Sequence, residues 1–129
     1  MTVKERLHEI NEQMIKLSQE ERRLRQLEIE EVQDAARANI GRCFKLNNQE
    51  YAAIFDVPKQ TDTMTGIRFN EYEYPAIIID LDDDPGCIVT DTVHIKIANQ
   101  NGEEISKKEF LDLFDEVCSG IREVIENGY

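Results

Sequence analysis

The segment "PAIIIDLDDDPGCIVTDTVHIKIA", residues 75–98, decides the fold class. Ile77, Ile78 and Ile79 form a continuous apolar run that is short and β-branched, which reads as a strand covered on both faces. Asp82-Asp83-Asp84-Pro85-Gly86 supplies turn chemistry. Beyond the turn, Val89, Asp91, Val93, Ile95 and Ile97 alternate with Thr90, Thr92, His94 and Lys96, so a second strand is expected over 87–98. Two strands around an acidic turn put a β-sheet at the centre of this region.

Working outward, "RCFKL" (42–46) and "YAAIFDV" (51–57) also alternate and are separated by the polar "NNQE", which predicts a hairpin. Arg42, Phe44 and Leu46 share one side; Tyr51, Ala53, Phe55 and Val57 share another. "KQTDTMT" (59–65) reads as a polar loop, "GIRFNEYEY" (66–74) as a strand, and "NQNG" (99–102) as a turn. Residues 105–128 carry clear helix signals. Ser106 and Glu109 form a capping box, Ile105 and Phe110 a hydrophobic staple, and Gly128 a stop. Phe110, Phe114, Val117, Ile121 and Val124 make one apolar stripe. The expected class is α+β: residues 39–129 form a small antiparallel sheet or partly open barrel of about five strands with a packed C-terminal helix.

Residues 1–38 predict something different. Thr2 and Glu5 form a capping box, and no Gly or Pro occurs before Gly41. A helix over 3–38 would be roughly 50–55 Å long. Val3, Leu7, Ile10, Met14 and Leu17 step by four and three, and Leu24 returns to the same register after Glu21. This is a coiled-coil seam of about three heptads. Glu12 with Lys16 and Glu21 with Arg25 stand at favourable i,i+4 spacing. Six apolar side chains at roughly 1.5–3 kcal/mol each offer a gross ~9–18 kcal/mol when buried. Ordering the helix costs about as much, so the stripe is expected to be covered. The seam predicts self-association first, then a helix folded back on its own domain, then a different protein.

Net charge is −12 and unevenly placed. Residues 1–38 hold 7 basic and 9 acidic residues, and 39–129 hold 8 basic and 18 acidic. A surface this acidic disfavours direct contact with nucleic acid or anionic membranes and attracts a basic protein. Glu71 and Glu73, with Asp80, Asp82, Asp83, Asp84 and Asp91, are the candidate partner-binding residues. Arranged on a stiff sheet, such carboxylates imitate a row of phosphates. The bland alternative is a solvated turn whose charges discourage aggregation of the isoleucine run.

Asp80, Asp82, Asp84 and Asp91 also match positions of a calcium-loop template, but Pro85 stands where the template needs Gly and strands flank it. No metal or cofactor is expected. His8 and His94 have no cysteine at zinc spacing, and no nucleophile has an identifiable base. An enzyme is not expected. Tyr51, Tyr72 and Tyr74 lack surrounding cations and read as core or interface aromatics. Cys43, Cys87 and Cys118 are odd in number and irregularly spaced, which fits reduced thiols. With no signal-peptide core and no membrane-length apolar run, a soluble cytoplasmic protein is expected.

The layout of a charged N-terminal helix, then "IGRCFKLNNQEYAAIFDVP", then an acidic α+β domain resembles small accessory proteins of bacteriophages and prophages. That resemblance implies a bacterial host and an anti-defence role, including inhibition of the anti-CRISPR kind by imitation of nucleic-acid charge. The expected function is a non-enzymatic binding protein that self-associates through Val3, Leu7, Ile10, Met14, Leu17 and Leu24. Its acidic face would obstruct a basic, nucleic-acid-binding partner. The alternative is a scaffold that recognises partners through its coil.

Overall fold

The computed structural model describes residues 1–128, which divide into two compact units, one over Met1–Val32 and one beginning at Gln33. The boundary falls earlier than 38 because the last turn of the first helix belongs to the second unit. There Gln33 Nε2 donates to the Pro58 carbonyl at 2.8 Å, and Ala36 is buried in the core.

The first unit is a single helix. Helix α1 spans Val3–Ala36, 34 residues, and ends in a 3-10 turn at Arg37–Asn39. Thr2 caps it, its Oγ1 accepting from the Glu5 N–H at 3.1 Å. Glu21 and Arg25 pair as the spacing predicts, at 2.9 Å. Glu12 instead accepts from His8 Nε2 at 3.2 Å, one turn toward the N-terminus.

The second unit is built on an open five-stranded sheet, all neighbours antiparallel, in the order β6-β5-β2-β1-β7. The strands are β1 (Cys43–Lys45), β2 (Glu50–Ile54), β5 (Glu73–Asp80), β6 (Cys87–His94) and β7 (Glu103–Ile105). β3 (Gln60–Thr63) and β4 (Gly66–Phe69) form a separate hairpin, so half of the expected polar loop is a strand. Helices α2 (Ile95–Asn101) and α3 (Lys107–Asn127) complete the unit.

Both faces of the sheet are buried, because alternate residues of each strand point to opposite sides. One face carries Phe44, Ala52, Ile54, Ala76 and Ile78, packed with Ala36, Ile95 and Ala98. The other carries Cys43 and Ile79, packed with Phe110 and Val117 of α3. Ile77 joins this second cluster, so the isoleucine run is covered on both sides as its composition predicts. The hairpin reading of 51–57 was too long. β2 ends at Ile54, Phe55 is exposed, and Val57 reaches the core from beyond the strand.

The strand expected over 87–98 stops at His94. Ile95 and Ala98 are buried three positions apart while Ile97 is exposed, which is helical spacing. A short alternating apolar run fits both periods, and here the helix prevails. Gly102 then lets the chain return. A Cβ there would stand 2.7 Å from the Ala98 carbonyl oxygen and 3.1 Å from that of Lys45. β7 follows and pairs with β1, and Arg42 fastens the junction. Its guanidinium pairs with Glu104, donates to Asn99 Oδ1 at 2.9 Å and to Asn39 Oδ1 at 3.0 Å, and lies 5.0 Å over the Phe44 ring.

Candidate protein-interaction surfaces

Two surfaces stand out, one apolar and one acidic. On α1, all six seam residues are exposed, from 39% at Ile10 to 78% at Val3, with Leu7, Met14, Leu17 and Leu24 between. Ile15 and Leu27 are exposed beside them. Nothing inside the first unit covers this stripe, since a lone helix has only its own side chains to offer.

The acidic residues do not form the single edge that their sequence spacing suggested. Glu73 begins β5 and Asp80 ends it, which separates them by about 23 Å along the strand. Glu71 precedes β5 in a turn where Asn70 Oδ1 accepts from the Tyr72 N–H at 3.0 Å. Glu73 also lines a groove of about 760 Å³ together with Lys59 and Arg68, so cations of the same molecule surround it. Asp91 lies mid-strand in β6, the edge of the sheet. Its carboxylate accepts from the adjacent Thr92 N–H at 2.8 Å. That N–H points away from β5, so Asp91 blunts the open edge instead of joining the turn.

What the structure does bring together is the β5–β6 turn and the middle of α3. Asp80 Oδ1 accepts from the Asp82 N–H at 2.9 Å, which closes the turn at its base. Asp82, Asp83 and Asp84 are exposed at its tip. Among the described residues no Lys or Arg forms an ion pair with Asp82 or Asp83. The turn is seated firmly. Gly86 is buried with φ of 96°, a conformation that favours glycine, and a Cβ on it would lie 3.5 Å from Val117 Cγ2. Pro85 meets Gly120 of α3 so closely that a Cβ on Gly120 would stand 2.6 Å from Pro85 Cβ. Glu116 and Glu123 stand four residues before and three after Gly120, on the helix rows that flank this contact, and both are exposed. The acidic ridge therefore combines Asp82, Asp83 and Asp84 with Glu116 and Glu123. The last two were missed from sequence. Gly120 inside a strong helix pattern was the available signal, because a glycine there costs about 1 kcal/mol against alanine and marks a close approach.

The remaining chemistry is structural. Asp91 is four residues along β6 from Cys87, about 13 Å from the turn, so the calcium-loop positions do not converge. Among the described residues no three His, Cys, Asp or Glu side chains are grouped to hold a metal ion. Tyr74 is buried and its hydroxyl accepts from Asn39 Nδ2 at 2.9 Å. Tyr72 stacks on His94 at 5.6 Å and carries Lys96 Nζ 3.8 Å above its ring. Burial pushes the Cys43 thiol above its ordinary value, whereas Cys118 is exposed. Among the described residues no helix is long and apolar enough to cross a membrane. No protein-family model, no curated protein and no solved structure matches the chain.

Proposed function

We propose that this is a non-enzymatic binding protein that joins copies of itself through residues 3–24 and presents the acidic ridge to a basic protein. The partner class is a protein whose groove is lined with Lys and Arg, as in nucleic-acid binders, and docking obstructs that groove. This is the anti-defence role that the layout of the chain implies. One observation supports the reading most: Asp82 and Asp83 project from a turn locked onto α3 by Pro85, Gly86 and Gly120, with no cation of the described residues paired to them. A stiff, uncompensated row of carboxylates loses little conformational freedom when it docks.

The test is capture of partners from a bacterial extract, washed at graded salt, by the native chain and by Asp82→Lys/Asp83→Lys. Native binding is expected to weaken steeply with salt, and the variant is expected to bind at least tenfold less while melting at the same temperature. Salt-insensitive binding retained by the variant overturns the reading.

A scaffold that recognises partners through its coil is the second reading, favoured by the exposure of all six seam residues. Under it, Leu7→Ser/Met14→Ser/Leu17→Ser eliminates capture and the charge reversal does not.

A further inference from the structure

We infer that the exposed stripe of α1 pairs with a second copy of this chain as a parallel, in-register two-stranded coiled coil. This rests on the self-association in the proposed function and adds its geometry. The four-three spacing places Leu7, Met14 and Glu21 at the a positions and Val3, Ile10, Leu17 and Leu24 at the d positions. In a parallel pair each residue meets its own copy, which gives six apolar layers and one Glu21 layer. In an antiparallel pair a meets d. Every alignment then yields at most four apolar layers, because Leu24 is left out or Glu21 is set against an apolar side chain.

The flanking charges agree. A g position faces the e position five residues on in a parallel partner, so Glu20 of each chain faces Arg25 of the other, twice by symmetry. Arg25 is already drawn to the seam by its own Glu21, with Nη2 and Nε at 2.9 and 3.1 Å from the same carboxylate oxygen. The guanidinium thus compensates the one charged core residue and reaches across to Glu20. A slip of one heptad would set Glu21 against Met14, so this polar layer fixes register at some cost in stability.

Charge also selects the occupant. Residues 1–25 carry six basic and five acidic residues, whereas 26–129 carry nine and 22. The seam is the one long segment that can approach its own copy without strong repulsion. Parallel pairing sends both acidic remainders toward the same end. Association should therefore tighten as salt rises from low values to about 0.15 M, where the screening length is about 8 Å.

The test uses the full chain with Leu24→Cys in a Cys118→Ser background, oxidised gently and weighed by sedimentation. A species of two chains that is disulfide-linked almost completely, with the unsubstituted chain associating several-fold more tightly at the higher salt, is the expected result. Two-chain species that fail to link at position 24, but link when Leu7→Cys is mixed with Leu17→Cys, overturn the parallel arrangement and leave self-association standing. Single chains at all concentrations overturn both.

Discussion

The two units of this molecule solve the same problem with opposite means. In the first, 34 residues of helix carry six regularly spaced apolar side chains and bury none of them. In the second, three-residue strands such as β1 hold one residue against each of two cores, with Phe44 at 0% and Cys43 at 4% exposure. A sheet sandwiched between helices finds partners for both faces within one chain. A lone helix has a single apolar stripe and must find its partner elsewhere. Substitutions in the second unit should therefore be read in folding, and substitutions in the seam should be read in association.

The largest expected effect tests that division. Phe44 is completely buried among Ala52, Ile54 and Ala76 and lies under the Arg42 guanidinium. Phe44→Ala should cost about 3–5 kcal/mol of stability in urea denaturation of the second unit. Leu17→Ala in the seam should leave that urea transition unchanged and weaken self-association instead. If Leu17→Ala lowers the transition of the second unit by a comparable amount, the two units are not energetically distinct.

A smaller effect of unexpected sign comes from Gly120. Alanine is the better helix former by about 1 kcal/mol, so Gly120→Ala would stabilise an unencumbered helix. Here its Cβ would overlap Pro85 Cβ at 2.6 Å, and forcing the acidic turn off α3 should cost about 1–3 kcal/mol in a thermal melt. The same change should also reduce partner capture, since it displaces Asp82 and Asp83 from Glu116 and Glu123. A raised melting temperature would show that the turn is not seated there.

What was legible in the sequence follows the same division. The helix ends were plain because caps are local chemistry: Thr2 accepts from Glu5, and Ser106 Oγ accepts from the Glu109 N–H at 3.0 Å. The doubly covered strand around Ile77–Ile79 was plain because burial on both faces leaves a continuous apolar run. β7 was not, since three residues reading Glu-Glu-Ile carry no period and are strand only because β1 offers an edge. The β3–β4 hairpin was half hidden because its residues are mostly exposed and polar. The acidic surface was the least legible. Asp91 and Glu73 are near Asp82 in sequence and apart along the strands, whereas Glu116 and Glu123 are distant in sequence and flank the seated turn. Only the packing of Gly120 on Pro85 joins them.

The smallest effect compares one electrostatic device in both units. In the helix, the hydrogen bond from Arg23 holds the Glu20 carboxyl below its usual range. In the second unit, the Lys59 ammonium at 2.7 Å, then the Val57 N–H at 2.8 Å, hold Asp56 low. A carboxyl whose folded value is depressed adds stability that is complete above its unfolded value. That stability is lost as pH falls through the folded one. Asp56→Asn should therefore cost the second unit a few tenths of a kcal/mol at neutral pH, the pair being partly exposed and screened. The difference from the native chain should shrink as pH is lowered toward 3, measured by urea denaturation at each pH. Asparagine keeps an oxygen for the Val57 N–H and loses only the charge that Lys59 sees. A cost that stays constant with pH would assign the effect to the backbone hydrogen bond instead of the ion pair.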